Sequence, residues 1–107
     1  MEGFWTVQFH GVEGFGAGVI TLIGGQVFGG DSAFLYTGTY ASDQDHLNAN
    51  VHVSRYAQGM PSVMGRDQFD LTLTGKLSSN VINAVGTIPG TPLQLQGALT
   101  KRGDLPR

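Results

Sequence analysis

The chain has 107 residues, a net charge of −2, 40% hydrophobic and only 13% charged residues. That is one domain, residues 1–107, able to bury a single core, and no apolar stretch nears the ~20 residues of a membrane helix. There is no cysteine, which excludes disulfides, thiolate metal sites and thiol nucleophiles.

The 17 glycines are more than twice the usual ~7% share. With so little charge, they point to an all-β domain with tight turns and close strands. Apolar residues recur with period two in short runs bounded by Gly, Pro, Asn or Asp. Trp5, Val7 and Phe9 alternate with Thr6, Gln8 and His10. The run from Gly18 to Ile23 is apolar apart from Thr21 and stops at Gly24-Gly25. Gln26 to Phe28 is a short return strand, ended by Gly29-Gly30-Asp31. Phe34, Tyr36 and Tyr40 share one face of the next run, opposite Leu35, Thr37 and Thr39. Leu47, Ala49, Val51 and Val53 alternate with Asn48, Asn50, His52 and Ser54. The segment from Tyr56 to Arg66 breaks the rhythm and reads as a loop with room for one helical turn. Phe69, Leu71 and Leu73 alternate with Asp70, Thr72 and Thr74. Runs from Asn80 to Thr87 and from Leu93 to Leu99 complete eight candidate strands.

Eight consecutive strands joined by short turns predict an antiparallel up-and-down barrel, because closure leaves no edge exposed. An open two-sheet sandwich is the alternative. Glycines within strands, at Gly38, Gly75, Gly86 and Gly97, suit bends in a barrel wall. An eight-stranded barrel either fills its interior or holds one small ligand. The candidate inner face is Trp5, Val7, Phe9, Val19, Phe34, Tyr36, Val51, Phe69, Leu71 and Leu95. Small residues among the inward positions, Gly18, Gly38, Ala49, Gly75 and Gly97, lean toward room inside.

Charge is distributed unevenly. Glu2, Glu13, Asp31, Asp43 and Asp45 precede every base, and all six bases follow Ser54. Those bases, Arg55, Arg66, Lys76, Lys101, Arg102 and Arg107, are scattered and rarely flanked by rings, so direct nucleic-acid binding is not expected. The first ten residues lack the basic start and long apolar run of a signal peptide, which gives a soluble cytoplasmic protein as the expectation.

Catalytic patterns are sparse. Gly30-Asp31-Ser32 resembles the nucleophile block of the GDSL hydrolases, and Asp43 to His46 has their Asp-x-x-His spacing. A serine nucleophile needs a strand-to-helix elbow and an oxyanion hole, and no helical pattern follows Ser32. The commoner reading is a hairpin turn, in which glycines supply positive φ and Asp31 binds local amides. No catalytic residue is assigned. His10, His46 and His52 are the only imidazoles, and zinc wants three or four ligands; Asp43 and Asp45 read as strand-end surface residues, so neither metal nor cofactor is expected.

Gly3-Phe4-Trp5 resembles the Gly-x-Trp of lipocalin-type barrels, in which the indole plugs one end near a basic residue of the last strand. Lys101 and Arg102 hold that place here. Three longer blocks carry a further resemblance. They are Gly29-Gly30-Asp31-Ser32-Ala33-Phe34-Leu35-Tyr36-Thr37-Gly38, then Val51-His52-Val53-Ser54-Arg55-Tyr56, then Pro61-Ser62-Val63. In this order and spacing the chain resembles the GrlR-type negative regulators of type III secretion. The resemblance implies a small lipocalin-like barrel that forms a homodimer and binds a transcriptional activator through an exposed loop of four acidic residues. The matching loop here is Ser42-Asp43-Gln44-Asp45, which keeps two of the four charges. The expectation is a non-catalytic protein that works by protein–protein contact, with a carrier or sensor of a small apolar ligand as the alternative.

Overall fold

A computed structural model describes residues 1–12, 14–59, 62 and 64–106. The period-two runs become β1 (Gly3–Gly11), β2 (Gly14–Ile23), β3 (Gln26–Gly30), β4 (Phe34–Asp43), β5 (His46–Arg55), β6 (Gln68–Ser78), β7 (Val81–Thr87) and β8 (Gln94–Gly103). Each strand pairs antiparallel with its chain neighbours, and β8 returns to β1 to close an eight-stranded barrel. The closing ladder runs from Phe4 against Gly103 to His10 against Gln96, with a register shift between Phe4 and Trp5. That ladder excludes the open sandwich.

The described residues include no helix, so none is long and apolar enough to cross a membrane. Among the described residues of segment 56–66 no helix is assigned; Met60, Pro61 and Val63, on which a helical turn there would also rest, lie outside the described residues, as do Glu13 and Arg107. The segment is pinned by backbone hydrogen bonds from Arg55 N to Asp67 O (2.9 Å) and from Tyr56 N to Ala33 O (2.8 Å).

The two ends of the barrel differ. At one end the turns are two residues each, Gly24-Gly25, Gln44-Asp45 and Ser79-Asn80. Gly24 and Gly25 take φ of 57° and 79° there, a region open to glycine without steric cost. This end is closed by Trp5, Leu22, Leu47 and Ile82, all almost wholly buried. The longer connections, residues 31–33, 56–67 and 88–93, gather at the other end.

Alternation set the faces of β5 and β6 as expected. Leu47, Ala49, Val51 and Val53 are buried, and Asn48, Asn50 and His52 are exposed. Strand β2 departs from expectation twice. It begins at Gly14 rather than Gly18, and Val19 lies on the outside, 59% exposed. Apolar residues occupy both faces of this strand, so hydrophobicity alone cannot choose its register. Pairing does: Val7 stands opposite Gly18, and Thr6 opposite Val19. Directly opposed residues share a face, so an inward Val7 puts Gly18, Ile20 and Leu22 inside and Val19 outside.

The glycines before Asp31 also act differently from expectation. Neither Gly29 nor Gly30 has positive φ. A Cβ on Gly29 would lie 2.1 Å from the carbonyl oxygen of Val19. Close approach of β2, not turn geometry, demands glycine there.

Candidate ligand cavity

Inward alternation on all eight strands surrounds a cavity of about 290 Å³. Its wall is apolar: Val7 and Phe9 from β1, Ile20 and Leu22 from β2, Val27 from β3 and Phe34 and Tyr36 from β4. Leu47, Ala49, Val51 and Val53 of β5, Phe69, Leu71 and Leu73 of β6, Ala84 of β7 and Leu95, Gly97 and Leu99 of β8 complete it. The space exists because several inward positions are small. Gly16, Ala49, Ala84 and Gly97 all line it. A Cβ on Gly16 would come within 2.3 Å of the Phe9 ring, so this glycine makes room for that ring.

Of the ten inner-face residues expected from the sequence, Val7, Phe9, Phe34, Tyr36, Val51, Phe69, Leu71 and Leu95 line the cavity. Val19 does not, for the register reason above. Trp5 points inward but lies beyond the cavity, in the closed end, 1% exposed, with its indole N–H donating to the Met1 carbonyl at 3.0 Å. Of the bases expected near this indole, Lys101 stands directly opposite Trp5 in the β1–β8 ladder, but no cation sits over the indole among the described residues. Lys101 pairs with Asp104 at 3.2 Å, and Arg102 donates to the Thr6 hydroxyl at 2.9 Å. Among the described residues the cation over a ring is instead Arg55, 4.5 Å from the centroid of Phe34 at the opposite end.

The open end is where polar groups collect. Asp31, Ser32, Ala33 and Ser62 line the cavity beside Phe15 and Ala17. Asp31 Oδ1 accepts from the backbone amides of Ala33 and Phe34, both at 2.8 Å. Its Oδ2 accepts from the Tyr36 hydroxyl. The local-amide role expected for Asp31 is therefore what organises the β3–β4 connection. Tyr56 ties the same corner by donating its hydroxyl to the Asp31 carbonyl at 2.5 Å. Arg55 holds the rim through Asp67 (2.8 Å) and the Ala57 carbonyl (3.0 Å). Burial first, then the hydrogen bond to Asp31 and its charge, raises the Tyr36 phenol far above its ordinary range. The phenol stays protonated and continues to donate to Asp31.

The period-two pattern marks the wall but not this rim. Asp31 is a turn residue, as its local chemistry predicts; that its second oxygen meets Tyr36 depends on β4 folding back over the turn. Val53 and Leu99 were legible as continuations of alternations already counted.

The serine-hydrolase pattern does not assemble. Ser32 precedes β4 and Asp43 and His46 stand at its far end, about 30 Å away at ~3.3 Å per residue. His52 Nδ1 meets Asp70 Oδ1 at 2.8 Å on the outer wall, and His10 stacks on Phe15 with centroids 4.6 Å apart.

Ser42, Asp43, Gln44 and Asp45 are all exposed, the first two ending β4 and the last two forming the turn to β5. Gln44 takes φ of 57° at the tip. The loop thus projects from the closed end, away from the cavity mouth.

The barrel is thus closed by Trp5 at one end and encloses an apolar interior that reaches the rim at the other. No family model and no curated protein matches this chain.

Proposed function

We propose that this chain is a non-catalytic regulatory barrel of the GrlR type that acts by binding, and that its interior takes a small, mostly apolar molecule. Convergence carries the reading. The three sequence blocks that bear the resemblance contribute Asp31, Phe34 and Tyr36, then Val51 and Val53, then Ser62, and all of these line one cavity. Arg55 and Tyr56 of the second block brace its rim.

The test is native mass spectrometry of the freshly purified chain, followed by thermal melting with apolar probes. A co-purified mass released on mild activation is the expected result. A ligand at a hundred times its Kd should add about 2.7 kcal/mol to stability. A melting midpoint that no apolar probe moves would count against the interior as a site.

A second contact, with a protein, is favoured by the β4–β5 tip. Asp43 and Asp45 are exposed, and among the described residues neither is in an ion pair. This is the position at which the resemblance implies contact with a basic activator surface. Asp43→Asn with Asp45→Asn should then slow association several-fold and leave dissociation nearly unchanged. The effect should shrink in high salt, where exposed charges are screened beyond ~8 Å or less. Association kinetics at two salt concentrations decide it; an association rate unmoved by the double substitution would remove the tip from the interface.

The homodimer that the resemblance implies has a candidate face as well. Residues 14–30 and 32–42 contain no charged side chain, and Val19, Ile23, Phe28 and Leu35 are exposed on the outside of β2–β4. Gly30 lies between Val19 and Leu35 in the ladder. Phe28→Lys should convert a dimer to monomer in sedimentation equilibrium without changing the circular dichroism spectrum. A dimer that survives this substitution uses another surface.

A further inference from the structure

The geometry points to a specificity for the interior: it takes apolar molecules that present a hydrogen-bond donor, a hydroxyl or an ammonium, to Asp31 at the mouth, and it rejects carboxylates of the same size. This rests on the reading of the interior as a ligand site and names the chemical class that site accepts.

Size comes first. A cavity of about 290 Å³ is roughly twice the ~150 Å³ apolar cavity that holds a benzene. It suits a bicyclic aromatic or a chain of similar volume.

Charge decides the rest. Among the described residues, Asp31 is the only charged one that lines the cavity, and no Lys, Arg or His lines it. The rim cation Arg55 is turned to Asp67, to the Ala57 carbonyl and to the Phe34 ring. An anionic head group at the mouth would face a carboxylate within apolar walls, where like charges repel more strongly than in water.

Hydrogen-bond valence points the same way. A carboxylate has about four acceptor sites. Asp31 uses two on Oδ1 for the amides of Ala33 and Phe34 and one on Oδ2 for Tyr36. One acceptor site remains on Oδ2. The Tyr36 oxygen, having donated its proton, also has only acceptor capacity left. The hydroxyls of Ser32 and Ser62 adapt to either role and carry no charge. The directed, charged part of the mouth therefore asks for a donor.

The test uses three probes on one naphthalene frame: 2-naphthylmethylamine, protonated at neutral pH, the neutral 2-naphthylmethanol, and 2-naphthoate. Each is titrated into the full chain and followed by calorimetry. The amine and the alcohol should bind, and the naphthoate should bind about tenfold more weakly or worse, a gap of at least ~1.4 kcal/mol. Asp31→Asn keeps an oxygen for the two amides and removes the charge, so it should weaken the amine and strengthen the naphthoate. Tyr36→Phe, which leaves the Asp31 charge in place, should preserve the preference for amine over naphthoate. Three wild-type affinities within about threefold of one another would overturn the specificity and leave the interior standing as a site. Tightest binding by naphthoate would do the same. If none of the three binds, the interior reading fails together with the specificity.

Discussion

Trp5→Ala is expected to lower the unfolding free energy by about 3–5 kcal/mol, the range for truncating a large buried aromatic. Trp5 is 1% exposed, and Leu22, Leu47 and Ile82 close the same end of the barrel with it. Its loss empties the floor of the barrel, and the cavity above leaves little that can collapse into the gap. It also leaves the Met1 carbonyl without the indole N–H that reaches it at 3.0 Å. Position adds to the effect. Trp5 stands at the register shift where β1 meets β8, so a loosened floor weakens the ladder that closes the ring. Against a typical total of ~5–15 kcal/mol, such a loss removes a large share of the stability. Trp5→Phe keeps most of the apolar volume and loses less. Urea unfolding followed by far-UV circular dichroism is the measurement, because Trp5 is the only tryptophan and its fluorescence goes with it. A Trp5→Ala loss below about 1 kcal/mol would show that the floor does not depend on the indole.

Gly97→Leu is expected to abolish binding in the interior while leaving the barrel folded. Gly97 pairs with Phe9 on one side and Ala84 on the other, two residues that line the cavity, so a side chain at 97 points inward. A Cβ there would meet nothing closer than the Gln8 carbonyl at 3.6 Å and the Phe9 Cβ at 3.9 Å. Those are ordinary contacts, unlike the collision expected at Gly38, where a Cβ would lie 1.9 Å from the Asn50 carbonyl oxygen. The added isobutyl group occupies space a ligand would need, and affinity for a naphthyl amine should fall at least about tenfold, or ~1.4 kcal/mol. Stability should hold or rise, since burying an aliphatic side chain contributes about 1.5–3 kcal/mol and a strand glycine is conformationally expensive. Paired measurements of probe affinity and urea midpoint separate the two effects. Unchanged affinity in a folded Gly97→Leu variant would place the probe outside the barrel.

What could be read without tertiary structure was whatever repeats with the pleat. Leu47 to Val53 and Phe69 to Leu73 show apolar residues at every second position, and no other element satisfies that period with one buried face. Eight such runs with turn residues between them leave closure as the economical way to hide the edges. The role of Asp31 in binding its own neighbours' amides was equally legible, because it is local.

Where the period failed, the reason is specific. In β2 both faces are apolar, and the inward positions Gly14, Gly16 and Gly18 carry no side chain to mark them. The composition of that strand is compatible with either register. Only its ladder with β1 selects one, and a one-residue choice moves Val19 from the cavity wall to the outer surface. Strand order, the faces of the cleanly alternating strands and the local turn at Asp31 follow from the residue pattern alone. Ring closure decided the remainder: which end Trp5 seals, how much space the small inward residues leave, and that Asp31, Tyr36, Arg55 and Tyr56 share one rim. These are distances between residues far apart along the chain, 25 positions for Tyr56 and Asp31 and 96 for Arg102 and Thr6, and such distances are set by how strands pair around the barrel rather than by any local preference.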